Sequence, residues 1–453
     1  MFVLMAVTMV VGIVSSLGAP LLPQIARTMA ISLDSAQWSL TVALLAGAVS
    51  APTLGRLGDG RYRREAIVGE LLIVCVGSVI AGFATSLPVL IVGRTLQGTG
   101  LGLAPVAMAA ARAHLPAARS RDVIATLSVM AAAGVGAGYP ISGLIADDVS
   151  LHAAFFFGGV LSGAVAIAAI LTVPSNRHSE PIPLDVRGVI TVATGLTALL
   201  IGIAQGQSWG WSSTRTLSAL AVAVVVLGIW VFTQLHRDQP LVDLRQFRHH
   251  AVLSANAAAL TLGVTLYMYF TIITEFIQAP ASAGYGFGAS TLVAGLVLVP
   301  FSIISLLASR FTSRVTVRFG ASWVLFVGAI LTAASGAFFA LAHGALWEAF
   351  VATAILGVAY GFSFAAIPGI VTQAVPERDT GSAMGLYQVI RSIGFSVGSA
   401  LTASILAGYI ASPGHLPTRH GYIVALWIGS SVAVAASIIT SLLGRRPPAV
   451  AGA

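Results

Sequence analysis

The chain has 453 residues, of which 57% are hydrophobic and 8% charged, with a formal net charge of +8, and its mean hydropathy is +0.94. Soluble domains carry about 25% charged residues, so this composition excludes a soluble globular protein and describes a chain that crosses a membrane many times. Nucleic-acid binding needs basic residues gathered on one water-facing surface, whereas all 23 basic residues here are arginines scattered through short polar loops.

A crossing helix needs about 20 mainly apolar residues. The first such run, Phe2–Pro23, lacks a basic leader and a cleavage site, so it is expected to be the first span rather than a cleaved signal. Five more follow at Trp38–Leu57, Ala66–Thr85, Leu87–Ala111, Val123–Ala146 and Ala153–Val173. A linker rich in proline and charge, Pro174–Arg187, precedes two further spans at Gly188–Gln205 and Thr216–Leu235. A second polar linker, His236–His250, leads to six spans at Ala251–Phe276, Ala289–Ala308, Ala321–Ala342, Leu346–Val371, Thr380–Ile410 and Tyr422–Leu443. The expected organisation is a six-helix bundle over 1–173, two extra helices with their linkers over 174–250, and a second six-helix bundle over 251–453: fourteen crossings in all.

The arginines supply a test of orientation, because basic residues of short loops stay in the cytoplasm. With both termini inside, 18 arginines fall in cytoplasmic segments and only Arg27, Arg215 and Arg419 outside, while Arg94 and Arg391 lie within predicted helices. A wrong helix count would reverse this bias partway along the chain. An internal repeat agrees with the count: Pro116, Gly134 and Gly138 recur 260 residues later as Pro376, Gly394 and Gly398, as in transporters built from repeated halves.

One loop concentrates the charge. Gly55-Arg56-Leu57-Gly58-Asp59-Gly60-Arg61-Tyr62-Arg63-Arg64 joins two apolar runs in a tight turn. Its glycines allow close backbone approach, and Asp59 is placed to face the positive N-terminal end of a neighbouring helix. Arg94 lies about two turns into its helix in Arg94-Thr95-Leu96-Gln97-Gly98-Thr99-Gly100; a charge there must face a cavity, a partner or backbone carbonyls. The helix near 123–146 carries Gly134, Gly138, Pro140 and Gly143, small residues and a proline that permit close packing or a hinge. Glu275, near the outer end of its span among aromatic and hydroxyl residues, is either a protonatable coupling carboxyl or an interfacial carboxylate reaching the outer surface. Glu70 lies on the arginine-rich side as a candidate ion-pair partner for the loop. Gln388 and Arg391 share one helix face and read as a polar cavity lining or an interdomain lock. Asn256, Tyr267 and Tyr360 are weaker lining candidates.

These residues carry a family resemblance. The loop resembles the signature G-x-L-x-D-R-x-G-R-R of the major facilitator superfamily at Gly55, Leu57, Asp59, Arg63 and Arg64, with Gly60 and Tyr62 departing from it. Arg94, Gln97, Gly98 and Gly100 resemble the family's fourth-helix motif R-x-x-Q-G-x-G, where the arginine is associated with proton transfer. The stretch from Gly134 to Gly143 is similar to the antiporter motif G-x-x-x-G-P-x-x-G-G, with Tyr139 inserted and Leu144 in place of a second glycine. With the two extra helices and the Pro240–Arg245 linker, the whole chain resembles the fourteen-helix drug:proton antiporter branch. The first span departs from that branch in having no Asp or Glu, which moves more of any proton coupling to Glu275.

The resemblance implies an all-α major facilitator fold of two six-helix bundles around a central cavity. It also implies gating by Asp59, Arg63 and Arg64, which would disengage from the second half when the cavity opens. The expected activity is export of a hydrophobic or cationic small molecule against inward proton movement, by a monomer in the cell membrane, the inner membrane of a bacterium. The expected partners are that substrate, protons and the lipid bilayer, with no nucleic acid, cofactor or metal. A facilitator or lipid carrier of the same fold is the alternative. A membrane enzyme or scaffold is disfavoured, since the sequence has no HExxH, phosphate-binding glycine loop or Cys/His cluster.

Overall fold

The computed structural model describes residues 1–17, 21–31, 33–174, 184–245, 250–410 and 416–444. Most of the first linker (175–183), the end of the second (246–249) and the tail with Arg445 and Arg446 lie outside the described residues. So do Arg177 and Arg248, which entered the orientation argument.

The described chain is helical, with no β-strand among the described residues beyond an isolated bridge between Ile410 and Pro417. Its helices in order are α1 (Phe2–Ser16), α2 (Leu22–Thr28), α3 (Leu33–Asp59), α4 (Arg63–Gly82), α5 (Leu87–Thr99), α6 (Leu103–His114), α7 (Ala117–Asp148), α8 (Leu151–Thr172), α9 (Val186–Ala204), α10 (Gly206–Trp209), α11 (Thr214–Leu235), α12 (His250–Gln278), α13 (Thr291–Val297), α14 (Val299–Phe319), α15 (Ala321–Leu341), α16 (Leu346–Ala374), α17 (Thr380–Ala407) and α18 (Arg419–Gly444). Backbone groups in hydrocarbon must be satisfied within their own segment, which is why long apolar runs become helices.

Among the described residues, 12 helical stretches are long and apolar enough to cross a membrane. They are α3, α4, α7, α8, α9, α11, α12, α13 with α14, α15, α16, α17 and α18. The two remaining sequence-predicted spans take other forms. α1 has 15 residues, a rise of about 22 Å at ~1.5 Å per residue, and α2 follows it. The run from Leu87 is divided into α5 and α6 by a 3₁₀ turn at Gly100–Gly102. There Gly98 meets the Ala43 backbone, Gly100 the Val74 side chain and Gly102 the Leu54 side chain, so the apolar run bends where three small residues let α3 and α4 press in.

The outer surface is apolar: Val160, Leu171, Val224 and Phe232 are all more than 60% exposed, as required of side chains that face lipid. Inside, one apolar cluster draws on residues between Val7 and Ala169. A second draws mainly on residues between Ala255 and Leu426, joined by side chains of α6 and α7.

The repeat read in the sequence is a repeat of helix crossings. Gly134 packs on the backbone of Met9 and Gly12 in α1, and Gly394 packs on that of Leu260 and Gly263 in α12. Gly138 meets Ile13, and Gly398 meets Val264. A Cβ at Gly134, Gly394 or Gly398 would overlap the facing main chain and one at Gly138 the Ser16 hydroxyl, so α7 crosses α1 as α17 crosses α12.

The extra helices α9 and α11, central in sequence, lie against the seam between the outer segments. Val192, Leu196, Trp230, Leu241 and Val242 form an apolar cluster with Ala51 of α3 and Val389 of α17. A polar knot fastens the pair. Asp185 caps α9 by accepting from the Gly188 N–H at 2.9 Å, accepts from the Gln234 amide at 2.8 Å and pairs with Arg237 at 2.8 Å. Gln234 Oε1 in turn accepts from the Leu241 N–H at 2.6 Å, holding the second linker against α11.

Replacing Asp185 with Ala removes the cap, which costs about 1–2 kcal/mol, and strands the buried Gln234 amide at a further ~1–2 kcal/mol. The thermal unfolding midpoint of the detergent-solubilised protein is expected to fall in Asp185→Ala and to fall less in Asp185→Asn, which keeps an acceptor oxygen. Equal midpoints in all three proteins would show that the knot adds no stability.

Candidate functional site

Two sets of polar side chains stand out, and the first of them joins the first part of the chain to the second. The first set is at the arginine-rich end. α3 ends in Asp59, whose carboxylate accepts from the backbone N–H of Gly381 and, at 2.8 Å, from that of Ser382. These are free donors in the first turn of α17, so the carboxylate satisfies them and meets the positive end of the helix dipole. Close approach makes this possible, since a Cβ on Gly55 would overlap the Gly381 carbonyl and one on Gly385 would come within 2.6 Å of the Ala51 oxygen. Arg56 stands 3.6 Å from Asp379, and Arg112 of α6 donates to the Val375 carbonyl at the end of α16, 3.0 Å away.

Arg63 and Arg64 make their hydrogen bonds within the first half of the chain. Arg63 Nε donates to the Gly58 carbonyl at 2.6 Å and Arg64 to the Ile170 carbonyl at 2.5 Å, each placing a cation on the carbonyl end of a helix. They anchor the loop, while Asp59 and Arg56 reach across. Leu57 is half-buried in the apolar cluster of the first half. Sequence reasoning placed Asp59 at a helix N-terminus and missed Arg56 and Arg112, whose partners lie more than 260 residues away and have no local signal. Glu70 departs from its expected role: it is buried, forms no ion pair among the described residues, and its Oε1 has no hydrogen-bond partner. It faces the Thr99 hydroxyl across the α4–α5 contact.

The second set lies deep in the molecule. Arg94 is fully buried. Its Nε donates to the Ser39 carbonyl at 3.2 Å and its Nη1 to Gln97 Oε1 at 2.8 Å, and Gln97 Nε2 continues to Ser78 Oγ at 2.8 Å. Nη2 has no partner, and no carboxylate pairs with Arg94 among the described residues. Arg94 and Gln97 line a cleft with Val14, Ser15 and Leu44. The cleft is small, with room for little more than a water-sized group, far below the space of a drug-sized site, so a ligand requires the surrounding helices to part.

Arg391 is the corresponding buried cation of α17. It donates to Gln388 Oε1 at 2.5 Å, and its guanidinium lies 5.2 Å from the Phe364 ring, 5.5 Å from Tyr387 and 5.7 Å from Phe395. The ring of Tyr267 of α12 lies 5.8 Å from that of Phe395. Of the remaining candidates, Gly134 and Gly138 pack on α1, Pro140 meets Gly295 of α13, and Gly143 stands beside Leu292. Tyr360 is fully buried and ties α16 to α12 through the Leu262 carbonyl and Thr265. Asn256 bonds the Val252 carbonyl within α12. Glu275 is exposed, on the α12 stripe that also carries Tyr267 and Thr271.

A sequence profile described as the Major Facilitator Superfamily matches residues 4–281 and again 257–453. The chain belongs to the major facilitator superfamily. Within that family it is 28% identical over 407 residues to the tetracenomycin C resistance and export protein of Streptomyces glaucescens, covering 89% of this chain and 74% of the relative. It is 26% identical over 397 residues to the multidrug resistance protein Stp of Mycobacterium tuberculosis, covering 86% and 72%. The crystal structure of the human organic anion transporter MFSD10 (TETRAN) shares the fold, with a TM-score of 0.65 at 12% identity over 97% of this chain and 98% of that one. Family and relatives indicate a membrane transporter rather than an enzyme.

Charge-assisted hydrogen bonds contribute about 1.5–3 kcal/mol each, so Asp59→Ala is expected to raise the population with the arginine-rich end parted by ~10-fold or more. Electron–electron distances between spin labels at exposed positions 62 and 378, in a protein with Cys75 replaced, report that population. An unchanged distance distribution would show that the Asp59 contacts do not hold this end closed.

Proposed function

We propose that the protein exports hydrophobic small molecules across the cell membrane by alternating access, with fourteen crossings, both termini cytoplasmic, and protons moving inward as the driving force. The fourteen are the twelve long apolar helices together with α1 and the bent α5–α6 unit. They form a first bundle of six over 1–173, the pair α9 and α11 within 174–250, and a second bundle of six over 251–453. In this reading the arginine-rich end is cytoplasmic, and the observation that carries it is the bond of Asp59 to the N-terminus of α17. It joins the two bundles at one face through contacts that can be made and broken without unfolding a helix. Substrate reaches the Arg94 cleft when Asp59 and Arg56 release α17, while Arg63 and Arg64 keep the loop on the first bundle. The glycines and proline of α7, from Gly134 to Gly143, absorb the accompanying change in helix packing. The relatives' names, which speak of antibiotic export and multidrug resistance, support a drug-like substrate.

Coupling needs a carboxyl that takes up a proton on one side and releases it on the other. Glu275 is exposed near the end of α12 remote from the arginine loop and has that access. Glu70 is the second reading, because it is buried, unpaired and one helix away from Arg94. In proteoliposomes the export of a lipophilic dye is expected to rise several-fold when a pH gradient, acidic on the external side, is imposed. Glu275→Gln is expected to abolish that acceleration while leaving gradient-independent exchange. Acceleration that survives in Glu275→Gln and is lost in Glu70→Gln transfers the role to Glu70, whereas movement indifferent to the gradient in the unaltered protein identifies a facilitator.

A further inference from the structure

The charge inside the protein is one-sided. Arg94 and Arg391 are both more than nine-tenths buried, neither has a carboxylate partner among the described residues, and each donates to a glutamine three residues away, Arg94 also to the Ser39 carbonyl. A buried cation without a counter-charge is costly, and such a charge repels a second cation brought beside it. Around Arg391 the unsatisfied groups are specific. Its own Nε, the Tyr387 hydroxyl and the Ser392 hydroxyl have no hydrogen-bond partner, although these residues are 7%, 2% and 3% exposed. Across the molecule the Nη2 of Arg94 is likewise unpartnered. The remaining surroundings are aromatic: Phe364, Tyr387 and Phe395 flank the Arg391 guanidinium, and the Tyr267 ring lies 5.8 Å from that of Phe395.

Unspent donors beside rings select a ligand that is flat and rich in acceptors. A carboxylate, phenolate or enolate on a fused ring system would take hydrogen bonds from guanidinium and hydroxyl groups while its rings stack on the phenylalanines. We propose that the region around Arg391 binds planar acidic aromatic molecules, held by Arg391 and Tyr387. The sequence allowed a lipophilic cation as substrate, and the two unpaired arginines discriminate against one. The proposal deepens the export reading and rests on it for the ligand's passage through the membrane, so binding and transport are measured separately.

The test uses the full-length protein in lipid nanodiscs with 1-hydroxy-2-naphthoate, its methyl ester and tetraphenylphosphonium as probes. The acid is expected to bind saturably and ~10-fold or more tighter than the ester, the difference a charge-assisted hydrogen bond supplies, and tetraphenylphosphonium should not displace it. Arg391→Gln is expected to reduce affinity for the acid to that of the ester. Tyr387→Phe, which removes only an unpaired hydroxyl and leaves the ring, should weaken the acid several-fold without changing thermal stability. Equal affinity for acid and ester, displacement by tetraphenylphosphonium, or no saturable binding would overturn the proposal. In proteoliposomes, acid that binds as expected but is not moved removes the export reading and leaves the site standing. Movement of tetraphenylphosphonium with no binding of the acid does the reverse.

Discussion

A carboxylate at a helix N-terminus is the contact on which the described conformation depends. Asp59 takes two backbone donors of α17 that have no partner inside their own helix, and the dipole of α17 adds to the attraction. The bond is strong enough to join two bodies and local enough to break. Everything near it serves that geometry. Glycines at 55, 381 and 385 bring the main chains together, Arg63 and Arg64 fix the loop to its own bundle, and Arg56 adds a second charge pair to Asp379. The α9–α11 pair and its linker then pack Leu241 and Val242 beside Ala51 and Val389, covering the seam from the side. A helix pair that stands between the two outer segments in the sequence thus packs against residues of both in space.

Farther into the molecule the organising constraint changes from helix dipoles to unpaired charge. Arg94 and Arg391 occupy comparable situations, each buried and each with a glutamine at one turn's spacing. The chain spends no carboxylate on neutralising them. In a low-dielectric interior a guanidinium left without a counter-charge favours anionic over cationic company. Glu70 and Glu275 keep their distance from it, one facing Thr99 behind the Arg94 helix and the other exposed near the end of α12.

Much of this was legible before folding because hydrocarbon allows few solutions. Apolar runs of 20 residues or so become helices, and the structure follows the predicted limits closely at α15, α16 and α17. Asp59 was legible for a similar reason, since a lone carboxylate among glycines has few uses other than a helix end. What the sequence concealed depends on partners distant in the chain. Arg56 and Arg112 resembled ordinary loop cations, and only the arrival of Asp379 and Val375 beside them gives them a role. Glu70 seemed destined for an arginine because the loop lies nearby in sequence, but its place on α4 turns it toward α5. The run from Leu87 to Ala111 read as a single span since hydropathy averages over a bend, while the three glycines that permit the bend make sense only beside Ala43, Val74 and Leu54.

The glycine crossings bear on how such a chain diversifies. α7 meets α1 and α17 meets α12 through the same pattern of bare main chain, and at the matching place the carbonyl of Ala131 approaches Gly12 while that of Arg391 approaches Gly263. The contact is made by backbone, so the side chain at that place is released from any duty in holding the two helices together. One copy carries a methyl group there and the other a guanidinium, over the same kind of crossing. A duplicated frame of this kind lets chemistry be written into one copy alone.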